Sequence, residues 1–173
     1  MKITLKPIGD IDNNILEELK ERLNQTFGCT AETIPGANKL EPAYDAKRGQ
    51  YLASKLLARL KKSGVAKGEK VLGIVDVDLY APGLNFIFGQ ADIAAGVALI
   101  SLCRLRQEFY GSPSDEPLFL ARATKEAVHE LGHTFGLEHC KNTRCVMLFS
   151  NSLADTDWKQ SAFCSQCRPK LIK

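Results

Sequence analysis

No stretch of this chain reaches the roughly 18 consecutive apolar residues that a membrane-crossing helix requires, so no membrane partner is expected. The N-terminal stretch MKITLKPIGDID has no apolar h-region, so neither a secretory signal nor a pro-segment ahead of the domain is expected, and the expected location is cytoplasmic. Strong charge of one sign is also missing. The formal net charge is +3, and the densest basic stretch, Lys61, Lys62, Lys67 and Lys70, reads as a solvated helix end and loop. No nucleic-acid partner is therefore expected. Internal repeats and low-complexity segments are absent. At 173 residues the chain fits one domain, spanning residues 1–173, and a monomer is expected. Histidine is scarce: the chain has three, and all fall in one 11-residue window.

What is present reads as alternating strands and helices. Residues 1–8 alternate apolar and polar positions and predict a strand. Asp10 or Asp12 can cap a helix reaching about Thr26, with Ile11, Ile15, Leu16, Leu19 and Leu23 at helical spacing. A short strand around Cys29–Ile34 is followed by a loop carrying Pro35, Gly36, Asn38 and Pro42. A second helix is predicted over Tyr44–Lys62 with Leu52, Leu56, Leu57 and Leu60 inward, then a buried β-branched strand at Lys70–Val77. Leu84–Gly89 is expected to be an edge strand and Gly96–Leu105 a further apolar strand, before a third helix that carries the histidines. This order predicts an α/β fold in which a twisted mixed β-sheet packs with about three main helices.

The chemistry lies in the last quarter, which from His129 reads HELGHTFGLEH. His129 and His133 stand at i and i+4, so both imidazoles leave one face of a helix a turn apart. That separation suits two ligands of a tetrahedral metal. Gly136 is suited to the left-handed position that ends a helix and turns the chain, which lets His139 return as a third nitrogen ligand. Five fixed positions of these types would arise by chance in only about one in 10⁵ chains of this length. Three neutral imidazoles leave a fourth position for water, the mark of a catalytic zinc site rather than a closed structural one. Glu130, beside the ligands rather than among them, is placed to accept a proton from that water as general base.

Four cysteines follow: Cys140, Cys145, Cys164 and Cys167, spaced C-x4-C, then 18 residues, then C-x2-C. Without secretion signals, a tetrathiolate zinc site is favoured over disulfides. Two zinc ions per chain are therefore expected, one catalytic and one structural. His139 and Cys140 are adjacent, and consecutive side chains on an extended backbone point to opposite faces, so one residue pair can serve two metals. Cys29 and Cys103 fall in predicted strands and are expected to be buried apolar residues.

The pattern HExxHxxGxxH with a downstream methionine, here Met147, is a metzincin pattern. The longer string HELGHTFGLEHC-x4-CVM followed by CSQC resembles the archaemetzincin family specifically. The motif match covers residues 129–167. The resemblance implies a metzincin-like single compact domain, an active-site helix carrying HExxH, a C-terminal four-cysteine zinc region and Met147 in a methionine turn. It also implies an edge strand that pairs with an extended peptide or protein substrate.

The leading expectation is a zinc metallopeptidase. The alternative from another class is a zinc-stabilised binding or scaffold protein with little or no peptidase activity. Glu130 discriminates between them, because a binding module has no need of a carboxylate beside an open metal position. Nucleic-acid binding through the knuckles would draw on Arg144, Arg168 and Lys170 but lacks a basic stripe.

Overall fold

Strand β1 (Lys2–Pro7) places Ile3 and Leu5 in the core with no solvent exposure. The computed structural model describes residues 2–36 and 40–172, so Asn38 of the predicted loop lies outside the described residues. Asp12 caps helix α1 (Asn13–Phe27), its carboxylate accepting from the Asn14 amide, and Ile15, Leu16, Leu19 and Leu23 form the buried stripe. β2 (Thr30–Thr33) then runs parallel to β1. Beyond it come β3 (Tyr44–Asp45), β4 (Gln50–Leu52), helix α2 (Ala53–Lys62), β5 (Glu69–Val75) and β6 (Leu79–Tyr80). β7 (Gly89–Asp92), β8 (Val97–Ser101), the 19-residue helix α3 (Glu116–Thr134) and the short helix α4 (Leu153–Trp158) complete the order.

The main sheet has the order β2-β1-β5-β8-β7, parallel except for β7, which runs antiparallel on the edge. It is the expected mixed sheet, and helices cover both of its faces. Leu72, Ile74, Ala98 and Ile100 face α1 and α3, while Val71, Val75, Val97 and Leu99 face α2, the period-2 alternation of strands buried on both sides. A second, three-stranded sheet, β3-β4-β6, flanks it. Among the described residues, no helix is long and apolar enough to cross a membrane.

Three predicted elements differ. The helix predicted over Tyr44–Lys62 begins only at Ala53. Ahead of it, the Asp45 carbonyl accepts from the Arg48 and Gly49 amides, and Gly49 takes a left-handed φ of 66°, so β3 and β4 form a hairpin. Leu84–Gly89 is not an edge strand: the edge is β7, starting at Gly89, and residues 84–88 form an irregular wall bridged to β6 at Leu79↔Ile87. The strand predicted over Gly96–Leu105 ends at Ser101, and Cys103–Leu105 form a 3-10 turn. Cys29 and Cys103 accordingly lie outside strands and are half-buried; burial raises both thiols, Cys103 to about 11.

Candidate metal centre and active site

Helix α3 starts where Asp115 accepts from the Leu118 amide, with Pro117 in its first turn. Its second half crosses the core under β7 and β8, so His129 and Glu130 are buried although both are polar. The helix ends in a Schellman motif. The Leu137 amide donates to the Gly132 carbonyl at 3.2 Å, the Gly136 amide donates to the His133 carbonyl at 2.9 Å, and Gly136 has φ 82°. The turn expected at Gly136 is thus formed, and it returns the chain so that His139 meets the two helical histidines.

The three imidazoles converge, with one nitrogen from each lying within 4.8 Å of the others. Two are fixed from behind. His129 Nδ1 donates to the Val146 carbonyl at 2.8 Å, and His133 Nδ1 donates to the Leu137 carbonyl at 2.7 Å. With Nδ1 carrying the proton, each Nε2 presents a bare lone pair, and those two atoms stand 3.2 Å apart. Two facing lone pairs at that distance call for a cation between them. A tetrahedral site with bonds of 2.0–2.1 Å has corners about 3.3 Å apart, so the donor set fits zinc. His139 is exposed at the mouth and packs against Phe149, with ring centroids 4.9 Å apart.

Burial pushes all three histidines below their ordinary value, His129 furthest, and the Lys159 charge adds to the effect. They are therefore neutral and ready to ligate. Burial drives Glu130 the other way, well above the ordinary carboxylate value, and the neighbouring Glu126 charge reinforces the shift while Lys159 opposes it. Gly89 of β7 makes room for this carboxylate: a Cβ there would lie 2.6 Å from Glu130 Cγ and 2.9 Å from Cδ. Together these groups line a cleft of about 360 Å³ whose remaining walls are mainly apolar, including Leu84, Phe86, Ile87, Phe88 and Phe149.

Met147 is fully buried beneath the helix, where a Cβ on Gly132 would lie 2.5 Å from its sulfur. Its carbonyl accepts from the Cys140 amide at 2.9 Å. Cys140, Cys145, Cys164 and Cys167 form a second cluster, with sulfurs within 4.8 Å of one another and Cys140 and Cys164 3.8 Å apart. A tetrathiolate with 2.3 Å bonds has corners about 3.8 Å apart, so this set also fits zinc. All six cysteines are free thiols. Burial opposes ionisation of Cys164, but bonds from the Cys167 and Gln166 amides and from the Cys145 and Cys167 thiols together bring it down to about 7, which eases its deprotonation for a metal. His139 and Cys140, neighbours in the chain, contribute to different clusters.

Two residues near the cleft escaped the sequence reading. Glu126 lies one helical turn before Glu130, a spacing that places both on one face. Lys159 carries no local signal, yet its fully buried ammonium lies 3.0 Å from Glu126 Oε1 and donates to the Leu148 carbonyl at 3.3 Å.

Known proteins resemble this chain in sequence and fold. The model of peptidase family M54 matches residues 13–173. The chain is 44% identical over 171 residues to the archaemetzincin of Methanocaldococcus jannaschii, covering 99% of this chain and 93% of that protein. It is similar to the crystal structure of a zinc-dependent peptidase from Methanocorpusculum labreanum, with a TM-score of 0.90 and 33% identity, covering 98% of this chain and 99% of that one. The crystal structure of archaemetzincin from Methanopyrus kandleri superposes with a TM-score of 0.85 and 40% identity, covering 99% of this chain and 93% of that one.

Proposed function

This chain belongs to peptidase family M54, the archaemetzincins, and is a zinc metallopeptidase; we propose that it hydrolyses peptide bonds at His129, His133 and His139, with Glu130 as general base. The carrying observation is that the three histidines converge, two of them, His129 and His133, through nitrogens whose opposite ring edges are already tied to carbonyls, with the Glu130 carboxylate buried beside them. When bound, zinc supplies Lewis acidity, which acidifies water and polarises a carbonyl.

The chain's own residues supply the rest. The Val146 and Leu137 carbonyls fix the tautomer and orientation of two histidines, as outer-sphere partners of metal ligands do. Glu130 accepts the proton of the attacking water and passes it to the leaving amine. Its burial favours the proton-holding form between those two events. The apolar walls keep bulk water from the reacting bond, and the free edge of β7 offers backbone groups to an extended peptide. A second zinc, held by Cys140, Cys145, Cys164 and Cys167, has a structural role, and Met147 packs under the active-site helix.

The test is Glu130→Ala. It should keep the zinc content and fold of the parent and lose hydrolysis of a mixed peptide library read by mass spectrometry. Retained chelator-sensitive cleavage in that variant would refute the assignment.

A further inference from the structure

The wall made by residues 84–88 is a lining of the cleft with little regular structure to hold it. Its links to strands are the Ile87 amide donating to the Leu79 carbonyl at 3.0 Å and the Phe88 carbonyl accepting from Ser101 at 2.8 Å. Two wall carbonyls, those of Leu84 and Asn85, instead accept from side chains of the β3–β4 hairpin. Gln50 Nε2 donates to the Asn85 carbonyl at 2.9 Å, and Arg48 Nη2 donates to the Leu84 and Asn85 carbonyls at 3.1 Å each.

Gln50 is buried, and its amide is fully engaged. Its oxygen accepts from Arg48 Nε at 2.9 Å, and its nitrogen also donates to Asp78 Oδ2 at 3.1 Å. Asp78 in turn receives a two-pronged Arg104 pair, Nε to Oδ1 at 2.6 Å and Nη2 to Oδ2 at 2.8 Å. The Arg104 guanidinium lies 4.3 Å over the ring of Phe86, itself part of the wall. A continuous set of contacts, Asn85–Gln50–Asp78–Arg104–Phe86, thus grips the wall by its backbone and by an aromatic face. None of Gln50, Asp78 and Arg104 lines the cleft.

We infer that Gln50, Asp78 and Arg104 are positioning residues that hold this wall in a peptide-ready shape and so set the cleft's affinity for extended peptides. The inference rests on the peptidase reading of the cleft. Pre-ordering a binding wall removes an entropic cost that the ligand would otherwise meet on binding. Loosening the wall therefore weakens a peptide that runs along it and spares one that spans only the metal.

The test uses the zinc-loaded Glu130→Ala protein, which holds peptide without turning it over, with Gln50→Ala or Arg104→Lys added. Arg104→Lys keeps the charge but loses the fork and the planar stack. Binding of a short and a long apolar peptide is titrated, and hydrogen exchange is followed at the amides of residues 85–88 and of α3. Faster exchange in the wall alone is expected, with the long peptide weakened about tenfold, the equivalent of one lost hydrogen bond. Unchanged wall exchange in both variants overturns the inference, as does equal weakening of the two peptides. If the Glu130→Ala parent binds no peptide, the substrate reading of the cleft fails, while wall exchange still decides the clamp.

Discussion

His129 donates from Nδ1 to the Val146 carbonyl at 2.8 Å, and Val146 follows Cys145 directly in the chain. One imidazole of the histidine cluster is therefore oriented by the carbonyl of the residue that directly follows a member of the cysteine cluster. The Cys140 amide closes the same segment onto the Met147 carbonyl at 2.9 Å, and Cys140 follows His139. Residues 139–147 thus form a tie between two metal-binding sets.

Cys145→Ser should consequently damage the catalytic centre without touching substrate. With the loop released, His129 loses its backbone anchor and His139 its fixed approach. A displacement of about 1 Å can cost on the order of 10²-fold in rate. The variant is expected to lose one zinc, bind the other more weakly and turn over far more slowly. Metal analysis alongside turnover decides it: one tightly held zinc with full turnover means that the two sites are independent.

The two proposed zinc sites should also differ in lability. Protein purified without added metal is expected to approach two zinc equivalents. Mild chelation should remove activity before it unfolds the chain, because a zinc held by four thiolates would be closed to solvent and would contribute to folding. A stoichiometry of one that persists in excess zinc, or simultaneous loss of both metals and the near-UV signal, contradicts this order.

Gly89→Ala should impair turnover while leaving zinc bound. The added methyl would stand 2.6 Å from Glu130 Cγ and 2.7 Å from the Leu99 carbonyl. Because the carboxylate arm is more mobile than the paired backbone, it moves first, and the proposed general base leaves its position. A fall of about 10²-fold in kcat is expected, with zinc content at the parental value. Parental kcat would show that Glu130 has slack on that side.

The metal-free protein should show opposing proton linkages. The three histidines have folded values below their ordinary 6.5, so the unfolded chain binds more protons as pH falls through that value. Their contribution to stability is present above about 6.5 and is lost as pH falls toward their lowered folded values. Glu130, raised above its ordinary 4.5, acts with the opposite sign between 4.5 and its folded value, where the folded chain holds the extra proton. Glu130→Gln removes that opposition. Melting curves of the chelated proteins from pH 7.5 down to about 5 should fall more steeply for Glu130→Gln than for the parent. Parallel slopes would mean that Glu130 does not titrate in this window.

Both donor sets could be read from the sequence, because their geometry is largely local. An i, i+4 histidine pair is fixed by the helical repeat, Gly136 by the need for a left-handed residue, and a C-x2-C pair by the reach of one turn. β1 and the stripe of α1 are legible from periodicity for the same reason, and β5 and β8 from their β-branched and apolar runs. The hairpin at Tyr44–Leu52 reads as helix in the sequence because its apolar spacing gives no sign of the long-range pairing of β4 with β6. Only the tertiary structure put Lys159 against Glu126 across 33 residues of chain, the Val146 carbonyl behind His129, and the absent side chain of Gly89 beside Glu130. It likewise decided the clamp of Gln50, Asp78 and Arg104 on residues 84–88. Such contacts join segments far apart in the chain, and their geometry is set by how sheets and helices pack rather than by any repeat within one element.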